Sequence, residues 1–427
     1  MKEYKARLAD RILHKKLLST GAVLIEGAKW CGKTTTAEQI AKSTLFMQEP
    51  TQKKQNLEMA EMEPSFLLKG ETPRLIDEWQ LAPKLWDAIR FEVDQRDEFG
   101  QFILTGSAVP ANMSEISHSG TGRISRMLMR PMSLYETGES NGSVSLSALF
   151  SDNAKIAGAN SLDLEQISFL ICRGGWPKSI GCASEIALQL AINYFDAVVN
   201  YDISRVDDVQ RDAEKTKRIL RSYARSIGSQ AKISSITQDV YVNEDSGDLT
   251  NKSVTISSYI SALKQIFVVE DSAAWNPNLR SKTAIRTSDT RYFTDPSIGA
   301  AALGLGPQDL INNLQTMGLL FENMCIRDLR TYADALDGQV YHYRDKNDLE
   351  CDAVIHLRNG SYGLIEIKLG GDKLIEEGAK TLNKLANNID TTKMKAPSFR
   401  MILTGVGSYA YQRKDGILIV PIGCLKD

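Results

Sequence analysis

The segment Gly27-Ala28-Lys29-Trp30-Cys31-Gly32-Lys33-Thr34 fills every fixed position of the phosphate-binding loop G-x-x-x-x-G-K-[ST]. Gly27 and Gly32 let the backbone curl into a nest of N–H donors at a helix N-terminus, where partial positive charge meets phosphate oxygens. The Lys33 ammonium suits the β- and γ-phosphates, the Thr34 hydroxyl suits Mg2+, and Thr35 joins the nucleotide-binding set. Arg74-Leu75-Ile76-Asp77-Glu78 reads as an apolar strand ending in two acids. Asp77 is expected to hold the metal through water and Glu78 to polarise the attacking water. A third apolar run, Phe102-Ile103-Leu104-Thr105-Gly106-Ser107, brings Thr105 or Ser107 near the γ-phosphate. The chemistry expected is Mg2+-dependent ATP hydrolysis, with Lys33 and Glu78 as catalytic side chains.

The last third of the chain carries a second constellation. Cys351–Leu357 alternates, meets the hairpin turn Asn359-Gly360, and Tyr362–Leu369 returns. Because strand side chains alternate, Leu364, Glu366 and Lys368 share one face, and Asp352 can sit across the hairpin from it. Asp352 and Glu366 would supply carboxylates for Mg2+, Lys368 an amine to orient or activate water at a scissile phosphate, and Glu322 a third carboxylate from a helix. Helix, hairpin and these four residues together suit the PD-(D/E)-x-K nuclease fold. A fold of that kind does not by itself imply cleavage.

The elements that must position these groups follow from periodicity and breakers. Ala22–Glu26 is a short apolar run suited to a buried strand ahead of the loop, and Thr35–Lys42 reads as the helix after it. Residues 1 to about 20 read as a lead-in helix, and the P-loop core is expected over 1–137. Residues 138–160, rich in Gly, Ser, Asn and Ala, read as a connector. A helical segment follows over 161–228, broken by the turn Arg173-Gly174-Gly175-Trp176-Pro177. Lys215, Lys217, Arg218, Arg221 and Arg225 lie at helical spacings there, which reads first as a solvated basic face. Over 229–300 two short helices, the second capped by Thr255, and a strand Phe267–Glu270 give the order of a winged helix. Its exposed face, Ser257, Ser258, Ser261 and Lys264, offers little positive charge. The nuclease-like domain occupies 301–427. The fold class expected is α/β multidomain: a P-loop αβα core, a helical and winged-helix middle, and a PD-(D/E)-x-K-like α/β domain.

The 427 residues suffice for several cores, and a formal net charge of −2 gives no global field for nucleic acid, so any basic surface must be local. Six scattered cysteines without C-x-x-C spacing favour reduced thiols over a disulfide frame or a zinc site. No apolar run approaches a membrane span, so a cytoplasmic protein without a membrane partner is expected.

In sum of motifs the chain resembles the bacterial and archaeal ATPases that join an AAA-type domain (AAA_14-like) to a C-terminal DUF4143 domain. The resemblance rests on the phosphate loop, Leu75-Ile76-Asp77-Glu78-Trp79-Gln80, Leu104-Thr105-Gly106-Ser107, Gly122-Arg123 and Arg130-Pro131-Met132-Ser133-Leu134-Tyr135-Glu136. It continues through Gly174-Gly175-Trp176-Pro177, Tyr292-Phe293-Thr294-Asp295, Phe321-Glu322-Asn323 and Glu350-Cys351-Asp352 with Glu366-Ile367-Lys368. It implies an AAA-type core and a restriction-endonuclease-like C-terminal domain, with ATP and Mg2+ as cofactors. It carries Lys33, Thr34, Asp77 and Glu78 over as the ATP site, and Arg123 as a γ-phosphate contact, in cis or across the interface of a homo-oligomer. Cys351 stands where the nuclease signature has proline. Two roles compete: an ATP-driven switch or motor on nucleic acid, DNA included, and an ATP-regulated protein-interaction switch with an inactive nuclease-like module.

Overall fold

Five short strands near the N-terminus pair into one all-parallel sheet: β1 (Ala22–Glu26), β2 (Ser43–Phe46), β3 (Arg74–Asp77), β4 (Phe102–Gly106) and β5 (Ile124–Leu128), in the order β2-β3-β4-β1-β5. The computed structural model describes residues 3–107, 118–151, 154, 156–207, 209–242, 249–277 and 288–427. These fall into two units. The first comprises Met1–Pro131, Asn200–Arg211 and Ser261–Val268; the second comprises Met132–Val199, Asp212–Ile260 and Val269–Asp427.

In the first unit, parallel pairing demands crossovers, which cover both sheet faces and explain why the inner strands β1 and β4 are buried along nearly their whole length. On one face Leu24, Ile76, Phe102 and Leu104 pack with Trp79, Leu85, Trp86 and Ile89. On the other, Val23, Ile25, Leu75 and Ile103 pack with Leu13 and Leu17 of the helix Leu8–Leu17 and Ala37 of the helix Lys33–Glu38. The latter helix is shorter than its sequence suggests: the Ile40 and Ala41 amides both bond Ala37 O, and β2 begins at Ser43. The C-terminal ends of β1, β3 and β4 lie side by side, where open α/β sheets bind ligands.

In the second unit, a seven-stranded sheet has the order β7-β12-β13-β11-β10-β9-β8. The helix Leu314–Ala335 leads into the antiparallel strands β8 (Gly338–Arg344), β9 (Glu350–Leu357) and β10 (Tyr362–Lys368). The helix Asp372–Asn388 then returns the chain to β11 (Phe399–Thr404), which is parallel to β10 and to β13 (Leu418–Pro421). The segment expected as a connector at 138–160 is instead built into this unit. Its β6 (Val144–Ser145) pairs with β14 (Leu425–Lys426), and its β7 (Gly158–Ala159) pairs with β12 (Tyr409–Gln412). Its hydroxyls serve the chain end: Ser140 Oγ donates to Leu425 O at 2.6 Å and Ser145 Oγ to Asp427 O at 2.8 Å.

The middle helices Ala213–Arg225, Ile233–Val240 and Leu249–Gln265 are followed by antiparallel bridges Val269–Phe293 and Ser272–Thr290. Two expectations are corrected here. Thr255 caps nothing, because the helix begins at Leu249 and the Thr255 hydroxyl bonds back to Asn251 O at 3.1 Å. Phe267–Glu270 forms no strand, because Phe267 takes a left-handed φ of 57°. The basic helix is largely engaged, with Lys217 on Glu214 (3.0 Å), Arg225 near Asp239 (3.5 Å) and Arg218 donating to Val240 O (3.2 Å).

Four of the sequence motifs meet at one buried cluster. Arg327 bridges Asp295 (2.9 Å) and Asp328 (2.7 Å), all three essentially solvent-free. Asp295 also accepts from Gly175 N at 2.9 Å, and Asp328 from Leu134 N at 2.9 Å. Gly175 is obligatory, since a Cβ there would stand 2.1 Å from Met132 O. Nearby, Asn323 brackets Phe293 with bonds to its N and O. These motifs therefore hold the second unit together; a buried charge network is costly unless every member is satisfied.

Candidate functional site

The phosphate loop leaves β1 and turns at residues whose backbones demand it. Gly27 has φ +147°, and a Cβ there would meet Met129 O at 2.1 Å; Gly32 has φ +101° directly before the helix Lys33–Glu38. Lys33, 6% exposed, donates to Gly27 O (2.8 Å) and Ala28 O (2.9 Å), holding the loop's own carbonyls. Asp77, at the end of β3, accepts from Thr34 Oγ1 at 2.6 Å and Thr105 Oγ1 at 2.7 Å, both on one oxygen. The ends of β3 and β4 and the first turn of the loop's helix are thus gathered on one buried carboxylate. Among the described residues no Lys or Arg pairs with Asp77, so its neighbours are hydroxyls. A hydroxyl beside an unneutralised carboxylate is a donor set that fits Mg2+.

Glu78 sits at a left-handed φ of 56°, which turns its side chain away from the strand line. Its Oε2 accepts from Gln80 Nε2 and from Ser107 Oγ at 3.3 Å. Thr35 is exposed on the first helical turn. Arg123 is placed elsewhere. It precedes β5, whose Ile124 pairs with Ala22 at the start of β1, whereas the loop follows Glu26 at the far end. Five residues of strand separate the two edges, about 17 Å. Arg123 pairs with Asp94 at 2.6 Å. A γ-phosphate contact by Arg123 in cis is therefore corrected, and only a contact across an interface is compatible with its place.

Spacing gave no hint of two supports. The Arg7 guanidinium, buried under the loop, donates to Cys31 O and Arg130 O, each at 2.9 Å. Lys29 pairs with Asp202 at 2.6 Å, joining the loop to the Asn200–Arg211 stretch of the same unit. Both partners lie over a hundred residues away from one another or bond to backbone, which no local pattern records.

In the second unit the antiparallel register of β9 and β10 pairs Ala353 with Ile365 and so sets Asp352 across from Glu366. The Lys368 ammonium lies 3.1 Å from Asp352 Oδ2 and 2.7 Å from Glu366 Oε2, and Asp352 also accepts from Ile367 N at 2.7 Å. Glu322 reaches the same region from the helix Leu314–Ala335, where Tyr292 OH donates to it at 2.6 Å. Burial, with Asp352 beside it, pushes Glu322 up to about 8, against the pull of the Tyr292 hydroxyl. Burial and Asp352 likewise raise Glu366, against the pull of Lys368. Burial opposes the charge on Lys368, but Asp352 and Glu366 hold it well above the usual range.

The four residues are thus brought together, but not as a metal site. Among the described residues no three acidic, His or Cys groups are placed to share an ion. The expected Mg2+ set of Asp352, Glu366 and Glu322 is corrected on physical grounds: Lys368 already pairs with both strand carboxylates, burial favours the protonated form of Glu366, and the Tyr292 hydroxyl donates to Glu322. Cys351, at the position that the nuclease signature gives to proline, is buried, with its thiol 3.3 Å from Ile365 O. No helix among the described residues is long and apolar enough to cross a membrane.

Comparison with known proteins agrees with the first unit's geometry. Residues 19–138 match the family model of an AAA domain, residues 164–309 a domain of unknown function (DUF8612), and residues 317–425 a domain of unknown function (DUF4143). No curated protein matches the chain. Among solved structures, a Walker-type ATPase of Pyrococcus abyssi is 14% identical, with 71% of this chain and 99% of that one covered and a TM-score of 0.40. A Signal Transduction ATPase with Numerous Domains, with a tetratricopeptide repeat sensor, from Pyrococcus horikoshii is 12% identical, covering 79% of this chain and 48% of that one, TM-score 0.21. The chain spans about half the length of that second protein. Overlap this loose bears on neither fold nor role. The parallel sheet, the phosphate loop and the matched residues 19–138 together make the N-terminal part of this chain an AAA-type ATPase domain, joined in one polypeptide to a DUF4143 domain.

Proposed function

We propose that the chain is an ATP-binding, Mg2+-dependent ATPase that works as a switch on nucleic acid. The observation that carries the catalytic reading is Asp77, a buried carboxylate that draws the hydroxyls of Thr34 and Thr105 to one oxygen without a cationic partner. Thr34 and Asp77 would hold Mg2+, which supplies charge neutralisation on the nucleotide phosphates. Lys33 would leave the loop carbonyls for the phosphates. Glu78, with Gln80 and Ser107 fixing its carboxylate, would orient and polarise the attacking water. Lys33→Ala should abolish ATP turnover; turnover at the native rate in that variant would remove the site assignment. Glu78→Gln should bind ATP yet hydrolyse it at least about a hundredfold more slowly.

The nucleic-acid part rests on the second unit. The order helix, three antiparallel strands, helix, parallel strand suits a restriction-endonuclease-like fold, and three helices followed by antiparallel bridges suit a winged helix. Binding of DNA that weakens steeply with salt would support this part. The observation favouring the protein-interaction switch is Lys368, whose ammonium both strand carboxylates already share without a metal. Absence of any salt-sensitive DNA binding would move the assignment to that second role.

A further inference from the structure

Residues Tyr4–Asp10 bond to the phosphate loop, to the helix after it and to the chain beyond β5. The Arg7 guanidinium, 6% exposed, divides its two terminal nitrogens between Cys31 O in the loop and Arg130 O after β5, each at 2.9 Å. The same two stretches meet again nearby, where Cys31 Sγ donates to Met129 O at 3.4 Å and Met129 N to Glu26 O at 2.7 Å. Arg7 is itself held. Its backbone N–H donates to Asp10 Oδ2 at 2.8 Å, and Tyr4 OH donates to Asp10 Oδ1 at 2.6 Å. With its proton given to Asp10, the Tyr4 oxygen accepts from Thr36 Oγ1, 3.0 Å away and buried in the helix Lys33–Glu38.

The direction of the Cys31 carbonyl decides what the loop presents. Cys31 and Gly32 share a planar trans peptide, so the Cys31 carbonyl and the Gly32 N–H point in opposite directions. A carbonyl drawn back onto Arg7 therefore turns the Gly32 N–H away from the guanidinium, to the side where the loop gathers donors for phosphate. Lys33 holds different loop carbonyls, those of Gly27 and Ala28.

We infer that Arg7 is a positioning residue for ATP: by holding the Cys31 carbonyl it aims the Gly32 amide at the nucleotide phosphates, and Tyr4 and Asp10 hold Arg7 in turn. When Lys33 gives up its two carbonyls for the phosphates, the bond from Arg7 keeps the loop in shape. Arg7 acts through the loop backbone, so its effect falls on how tightly the triphosphate is held, and the hydrolytic step is left to Glu78 and the metal. This rests on the ATPase reading above.

The test is steady-state ATP turnover by the full chain, with inhibition by tripolyphosphate as a probe of the phosphate cradle without the base. Arg7→Met should raise KM for ATP and the inhibition constant of tripolyphosphate together, by about tenfold or more, with kcat held within about threefold. Arg7→Lys, which keeps a cation at the carbonyls, should recover part of both. Tyr4→Phe, which removes the bonds to Asp10 and Thr36 and leaves the guanidinium in place, should raise both constants about threefold. Native KM and kcat in a folded Arg7→Met, with only a lower melting temperature, would make Arg7 a fastening of the fold and overturn the proposal. A fall in kcat at unchanged KM overturns it too, as does a rise in KM that tripolyphosphate does not share. Where Arg7→Met does not fold, unchanged constants in Tyr4→Phe overturn it. A native chain that neither binds nor hydrolyses ATP overturns the ATPase reading and the proposal together, whereas native turnover with unaffected variants overturns the proposal alone.

Discussion

Two carboxylate groups in this chain meet their environment in opposite ways. Asp77 is surrounded by hydroxyls, neutral donors that orient a charge without cancelling it. Asp352 and Glu366 share the ammonium of Lys368, which balances one of the two, and burial beside Asp352 raises Glu366 so that it favours its proton. Both arrangements satisfy hydrogen bonding, yet only the first keeps a net negative charge for an incoming cation. A motif supplies the acids; the partners decide whether a metal has reason to enter.

That contrast breaks most sharply at Asp77. Asp77→Asn should lower ATP turnover about 10² to 10³-fold while leaving the melting temperature nearly unchanged, because its partners are hydroxyls that an amide can also serve. A large loss of stability in that variant would mean that Asp77 holds structure as Lys368 does. The converse substitution, Lys368→Met, should cost about 3 kcal/mol in urea unfolding, since it strands a buried carboxylate, Glu366, beside a half-buried one, Asp352. Adding Glu366→Gln to it should restore part of that loss, and ATP turnover should stay at the native level in both. Lys368→Met without measurable destabilisation would show that the ammonium is dispensable there.

Titration sharpens the same contrast. Glu322 titrates near 8 when folded and near 4.5 when not. Below about pH 4.5 both states hold the proton; between there and about 8 only the folded state does, so raising pH through this window removes stability. The slope contributed is at most about 1.4 kcal/mol per pH unit. Glu322→Gln should flatten the melting temperature over pH 5–8, and an unchanged profile would mean that Glu322 is ionised throughout. Asp202→Asn should weaken nucleotide binding only slightly, by under about 1 kcal/mol in a calorimetric titration, because Lys29 is partly exposed. The smallest effect is expected from Arg123→Ala: in dilute protein, ATP turnover should change less than about twofold. A tenfold loss independent of protein concentration would restore a role in cis.

Much of the first site was legible because its signals are local. The glycines, Lys33, Thr34 and the strand-terminal Asp77 are fixed by backbone geometry at consecutive positions, and parallel pairing then has little freedom over which ends meet. Arg7 and Asp202 were not legible, since one bonds to carbonyls and the other crosses more than a hundred residues. Residues 138–160 misled because Ser and Asn mark loops by composition, whereas here Ser140 and Ser145 bond the backbone at Leu425 and Asp427, and Asn141 that of Ala159. At the C-terminal site, placement of Asp352, Glu366 and Lys368 followed from strand alternation. The role did not, because an ammonium that positions water and one that neutralises acids occupy the same sequence position.

The first unit draws on three separated stretches, the last ending at Val268. On a ribosome, the strands through Leu128 emerge long before the stretch holding Asp202, and the stretch Ser261–Val268 emerges later still. At ordinary elongation rates the delay from Pro131 to Val268 is on the order of ten seconds. The nascent phosphate loop must therefore wait, with Lys29 unpaired, while the chain that completes its unit is still being made.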